Sequence, residues 1–289
     1  ALITNVGPVH IENFADGETG VAHAKAEIFA GLQTGGTAVL NADNRWFDFL
    51  KGAAEATGAR VRSFGSSATC DAQLLGFSVD ADATGAQVAA RVHGARLDFP
   101  LRQVGAHWGL MSLAVLLMLE ELDVSLDDGL AALAVFAPLE GRGAVREVSV
   151  AGGGFTLIDE SYNANPLSIA AALRTLGARP AKGRRIVALT DMLELGAEAG
   201  KLHAGLAPAI EAAKVDLVFC AGPLMKSLFD VLSPTRQGGY AEDAAGLAPR
   251  LVRAIEPGDV VMVKGSHASR AKAFVEALEA RAPAVGEAG

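Results

Sequence analysis

From about residue 144 onward, apolar runs of strand length alternate with helical patterns. The runs are Val145–Val150, Phe155–Ile158, Arg185–Leu189, Leu217–Cys220 and Val260–Val263, and the helical patterns cover 166–177, 199–213, 223–232, 243–255 and 269–281. Parallel strands need crossover connections, so this alternation specifies a mostly parallel sheet with helices on both faces. The strand ends carry Asp159, Thr190-Asp191, Ala221-Gly222 and Lys264-Gly265-Ser266-His267. In an open parallel sheet these ends share one edge, which is where ligands bind.

The most polar of these ends is Asp159-Glu160-Ser161-Tyr162-Asn163-Ala164-Asn165-Pro166, between the run ending at Ile158 and a helical pattern through Leu167, Ala170, Leu173 and Leu176. Asn165 suits a helix N-cap and Pro166 the first helical position. By itself the stretch reads equally as an Asx-rich turn that caps a helix or as a loop that carries ligand contacts.

The first part, residues 1–143, is less regular. Ala1–Thr4 has strand character and leads into a polar loop with His10 and Glu12. A helical pattern over Val21–Leu32 has the apolar stripe Val21, Ala24, Ile28 and Leu32, which places Lys25 on the inward side. A lysine there either snorkels to solvent or serves chemistry. Thr37–Leu40 is a buried-strand run that ends in Asn41-Ala42-Asp43-Asn44. A helix over 46–56 and the run Val61–Phe64 follow. Gln73–Val79, Ala86–Val92 and Leu97–Leu101, separated by Asp/Gly turns, predict an antiparallel meander at the sheet edge. Helices over 107–121 and 126–133 complete this part. Phe136–Gly143, with one proline and two glycines, reads as the linker, and Arg142 within it can approach a phosphate or ribose.

Composition excludes several classes. The net charge of −8 lacks the basic footprint of a nucleic-acid binder. The two cysteines, Cys70 and Cys220, have no metal-site spacing and suggest a reducing compartment. The longest apolar run, Leu110–Leu119, is too short to span a bilayer, and no signal-peptide pattern opens the chain. A cytoplasmic protein is expected. Gly196–Leu202 imitates a phosphate loop but has the wrong glycine spacing and Leu202 in place of the hydroxyl residue. Neither G-x-x-x-x-G-K-[ST] nor a strand-borne G-x-G-x-x-G occurs in the sequence.

The segments Asn5–His10, Val21–Phe29, Leu40–Asp43, Leu139–Arg142, Asp159–Pro166, Asp191–Gly196 and Val263–Ser266 together resemble the Mur ligase family, in the family's order. The Asp159–Pro166 loop resembles the branch that adds D-alanyl-D-alanine; the D-N-P-R of the diaminopimelate-adding branch is absent. The resemblance implies an α/β chain with residues 1–143 as the C-terminal part of a central ATPase domain and 144–289 as a Rossmann-like ligase domain. A UDP-binding domain, a phosphate loop and a magnesium-binding glutamate would precede Ala1, so the chain alone is expected to be inactive.

The resemblance further implies that ATP phosphorylates the carboxylate of a UDP-N-acetylmuramoyl-tripeptide and that D-alanyl-D-alanine attacks the acyl phosphate. His10 and Lys25, the latter as a carbamate, would bind Mg2+. Arg142, Asp159 and His107 would contact the nucleotide. Ser161, Asn163, Asn165, Lys264 and Ser266 would face the substrates, and the protein would act as a monomer. Two departures stand out: Gly105–Met111 lacks the asparagines usual near the adenine, and His267 replaces the arginine usual after Lys-Gly-Ser, with Arg270 three residues on. Two other readings are a folylpolyglutamate-type amide ligase, against which the Ser161–Asn165 loop argues, and a binding module without catalysis.

Overall fold

The computed structural model describes residues 1–281. The last eight positions of the expected second domain, 282–289, lie outside the described residues. The chain divides into two compact units, Ala1–Ala137 and Pro138–Gly289. The division falls inside the stretch read as a linker, and residues from Pro138 onward pack with the second unit.

In the first unit, strands β1 (Leu2–Ile3), β2 (Thr37–Asn41), β3 (Arg60–Gly65), β4 (Ala72–Val79), β5 (Ala86–Val92) and β6 (Ala95–Leu101) form one sheet in sequence order. β1 to β4 pair in parallel, and β4 to β6 form the antiparallel meander that the runs predicted. The helices are α1 (Glu18–Ala26), α2 (Phe47–Glu55), α3 (Ala106–Glu120) and α4 (Leu126–Val135). Alternation along β2 sorts the faces. Ala38 and Leu40 pack with Val21, Phe29 and Leu50, whereas Val39 packs with Leu113 and Leu117 of α3.

One expectation is overturned here. α1 ends at Ala26 and tightens into a 3-10 turn over Glu27–Gly31. Within α1 the buried residues are Val21 and Ala22, and Lys25 lies in solvent; past the change of period Phe29 is buried and Ile28 half exposed. The inward stripe through Lys25 does not form.

The second unit contains β7 (Ala144–Val150), β8 (Gly153–Glu160), β9 (Arg185–Thr190), β10 (Leu217–Ala221), β11 (Gln237–Ala241) and β12 (Val260–Lys264). The sheet order is β11-β10-β9-β12-β8-β7. All pairs are parallel except β7 with β8. Its helices are α5 (Pro166–Ala178), α6 (Ala199–Ala204), α7 (Ala207–Ala212), α8 (Lys226–Val231), α9 (Ala244–Ala254) and α10 (Lys272–Glu279). β11 escaped the sequence pattern. The single helix expected over 199–213 is two, divided at Gly205-Leu206.

Period-two alternation places Val187, Leu189, Val218, Cys220 and Met262 against α5 to α8. Ile186, Ala188, Phe219, Val261 and Val263 face α9 and α10 through Leu247, Leu251, Phe274 and Leu278. The helix following β12 therefore lies on the opposite face from those following its neighbours β8 and β9. That divergence opens a crevice at the C-terminal ends of the three strands.

Among the described residues no helix is long and apolar enough to cross a membrane.

Candidate functional site

A cleft of about 1030 Å3 opens at this edge of the second unit, lined by Gly141, Asp159, Ser161, Tyr162, Asp191, Leu193 and other residues up to Glu276. Asp159, at the end of β8, is buried. Its Oδ1 accepts from the Ser161 amide at 3.1 Å and from Ser161 Oγ at 2.6 Å, and its Oδ2 accepts from the Gly141 amide at 3.1 Å. The Tyr162 amide donates to the Gly141 carbonyl at 3.1 Å, and the Gly143 amide to the Asp159 carbonyl at 2.9 Å. Gly141 has φ +71, and a Cβ there would lie 3.0 Å from Tyr162 Cβ. Glycine meets both demands of this close approach.

The knot presents Arg142, whose guanidinium carbon sits 4.1 Å from the centroid of the Tyr162 ring. Tyr162 also lies 5.9 Å from the His267 ring. Arg142 and Asp159 were expected on opposite sides of the linker, but they belong to the same unit and are tied through Gly141.

The remaining loop residues hold one another. Lys264 is 3% exposed; its Nζ lies 3.1 Å from Glu160 Oε2 and donates to the Asn163 carbonyl at 2.9 Å. Ser266 Oγ accepts from the Leu193 amide at 3.2 Å and reaches the Ala164 carbonyl at 3.5 Å. Asn165 Oδ1 caps α5 through the Ser168 amide at 2.9 Å, in a reciprocal capping box. Asn163 itself is exposed. Of the residues expected to face substrate, Ser161, Lys264 and Ser266 are thus buried, with Ser161 in the cleft lining, while Asn163 is open to solvent.

Sequence reasoning missed the support under the loop after β9. Asp191 Oδ1 accepts from the Met225 amide at 2.8 Å, and burial pushes its carboxyl up from the usual value. His203 is fully buried. Its Nδ1 donates to the Ala199 carbonyl at 2.6 Å and its Nε2 accepts from the Met192 amide at 2.9 Å. The ring is therefore the neutral Nδ1-H tautomer, in keeping with burial, which pushes its pKa down. The signal was a histidine four residues after Ala199 in a helical pattern. Two glycines let the strand ends close: a Cβ on Gly265 would lie 1.7 Å from Thr190 Oγ1, and one on Gly222 (φ +116) 2.4 Å from the Asp191 carboxylate.

In the first unit His10, Lys25 and His107 are all exposed. His10 has φ 55 and precedes the turn Ile11–Asn13. His107 opens α3 with its ring 5.4 Å from Trp108. Among the described residues no three His, Cys, Asp or Glu side chains converge as metal ligands. The exposed His10 and Lys25 do not by themselves make a magnesium site, and the burial expected to favour a Lys25 carbamate is absent.

Comparison with known proteins agrees with this architecture. Residues 1–119 match the Mur ligase middle domain, and residues 141–267 match the family described as Mur ligase, glutamate ligase domain. The chain is 30% identical over 281 residues to the UDP-N-acetylmuramoyl-tripeptide–D-alanyl-D-alanine ligase of Escherichia coli (strain K12), covering 96% of this chain and 60% of that protein. Among solved structures, MurF from Acinetobacter baumannii shares the fold with a TM-score of 0.84 at 22% identity, over 97% of this chain and 59% of that one. MurF ligase from Thermotoga maritima in complex with ADP gives 0.80 at 21% identity, over 97% and 61%. The chain thus spans about three fifths of the length of the relatives it matches. With both domain matches in series along most of its length, it belongs to the Mur ligase family.

Proposed function

We propose that the chain works in an ATP-dependent ligase that joins D-alanyl-D-alanine to a UDP-N-acetylmuramoyl-tripeptide in peptidoglycan precursor synthesis, as a cytoplasmic monomer. The carrying observation is the cleft, lined by Asp159, Ser161 and Tyr162 of the Asp159–Pro166 loop, in a chain that aligns along 96% of its length with a ligase of that name. ATP, when bound, supplies the activating phosphoryl group for the peptide carboxylate.

The residues of this chain would do the positioning. Arg142, open at the rim over Tyr162, offers a guanidinium to the nucleotide. Asp159 fixes Gly141, and His107 remains assigned to the nucleotide by family resemblance alone. Lys264 and Ser266 hold the loops on which Ser161, Asn163 and Asn165 stand, so Asn163 is the direct substrate contact and the others preorganise it. His10 and Lys25 remain assigned to Mg2+ by family resemblance, and no step is routed through them.

Amide chemical-shift mapping on the 289-residue chain tests the reading. D-alanyl-D-alanine should shift Asn163, Leu193 and Ser266, and ADP should shift Gly141, Arg142 and Tyr162. Shifts by a γ-glutamyl peptide with none by D-alanyl-D-alanine would move the chain to the folylpolyglutamate-type alternative. With no phosphate-loop motif in its sequence, the chain alone should release no phosphate from ATP; release that rises with peptide substrate would contradict this.

A further inference from the structure

We propose that Leu193 reads the side chain of the amine-bearing substrate, selecting a dipeptide with short apolar side chains; the inference rests on the ligase reading above. The cleft lining mixes charged groups, among them Asp191, Glu242, Asp243, Arg270 and Lys272, with small residues such as Ala221, Ala244 and Ala268. Among the described residues, the large hydrophobic side chains in that lining that stay exposed are Tyr162, at 49%, and Leu193, at 37%. Tyr162 is already engaged by Arg142 and His267. Leu193 has no such role.

The backbone shows that Leu193 is not a loose tip. Its amide donates to Ser266 Oγ, and the amide of the preceding Met192 donates to the buried His203. Met192 and Leu195 are both buried, and Glu194 between them turns the chain with φ 62. The loop is pinned before and after the leucine, and from the β12 end as well. A large apolar side chain held at a fixed point among charged groups and small residues is what a selective contact requires. It gains from a methyl group laid against it and, being unable to retreat, resists a bulkier side chain.

Calorimetry on the 289-residue chain tests this with D-alanyl-D-alanine, glycylglycine and D-leucyl-D-leucine. The unsubstituted chain should bind D-alanyl-D-alanine about tenfold more tightly than glycylglycine and more tightly than D-leucyl-D-leucine. Leu193→Ala should shrink the advantage over glycylglycine to about threefold or less and improve binding of the bulkier dipeptide. Leu193→Gln, which keeps the size, should also lose the methyl preference, and Leu193→Met should keep the original order. ADP affinity should be the same in all four proteins. An unchanged order in both Leu193→Ala and Leu193→Gln overturns the assignment alone. Failure of the unsubstituted chain to bind D-alanyl-D-alanine overturns the ligase reading and this inference together.

Discussion

Lys264 lies 3.1 Å from Glu160 with its own side chain 3% exposed, while Glu160 keeps 23% of its side chain in solvent. The pair is asymmetric, and removing either partner should have different costs. Glu160→Gln strands a buried ammonium and should lower stability by about 3 kcal/mol. Lys264→Met leaves a carboxylate that water can reach and should cost only about 1–2 kcal/mol. Urea denaturation of the two variants checks the order, and a larger loss in Lys264→Met would contradict it.

Gly265→Ala should prevent the β9 and β12 ends from closing, because the added carbon would meet Thr190 Oγ1 at 1.7 Å. A loss of about 3 kcal/mol or more is expected, as for other overpacked sites. Gly52 in α2 is the control: nothing lies within 4 Å of a Cβ there, so Gly52→Ala should stabilise by about 0.5–1 kcal/mol through helix propensity. Melting midpoints should move in opposite directions.

Burial lowers the His203 pKa below its ordinary 6.5. Below that pH the unfolded chain takes up a proton that the folded chain resists, so unfolding gains ground. The contribution of His203 is complete above pH 6.5 and falls away as the pH drops toward its lowered folded value. Asp191, raised by burial, acts with the opposite sign at lower pH, near the carboxylate range. His203→Gln cannot titrate; it should be less stable than the parent at pH 7.5, and the gap should narrow by pH 5.5 in paired denaturation curves.

The face of Tyr162 steadies the Arg142 guanidinium. An exposed cation–π contact is worth about 0.5–1 kcal/mol, so Tyr162→Ala should weaken ADP binding about two- to fivefold. Tyr162→Phe keeps the ring and should bind as the parent does. Equal affinities for Tyr162→Ala and the parent would separate Arg142 from the nucleotide.

Lys25 is exposed, so the buried setting expected for a carbamate is absent. Incubating the 289-residue chain with 13C-labelled bicarbonate near pH 8 should give no carbamate resonance at Lys25. A strong resonance there would restore the original expectation for this lysine.

The sequence made the parallel sheet of the second unit legible because each buried strand is a short unbroken apolar run bounded by turn residues. It hid β11, whose Gln237-Gly238-Gly239-Tyr240-Ala241 carries two glycines and one small apolar residue. Both glycines serve packing: a Cβ on Gly238 would lie 2.6 Å from the Phe219 ring, and one on Gly239 2.9 Å from Arg250 Cδ. Lys25 was misplaced because α1 buries Val21 and Ala22, a face that the stripe through Lys25 does not follow, and Ile28 of that stripe falls in the 3-10 turn after Ala26. The loop residues of the site were recognisable by type, but not which of them turn inward. Lys264 finds its counter-ion 104 positions earlier in the chain, a distance over which local pattern carries no information.

β12, the last strand in chain order among the described residues, is inserted between β9 and β8 near the middle of its sheet. Until residues 260–264 have left the ribosome, β8 and β9 each lack their shared neighbour. The nascent unit must wait with two unpaired edges, a state open to wrong pairing. A premature stop shortly before Val260 would therefore do more than trim the terminus. It would leave a gap across the sheet and yield an aggregating product in place of a shortened, soluble one.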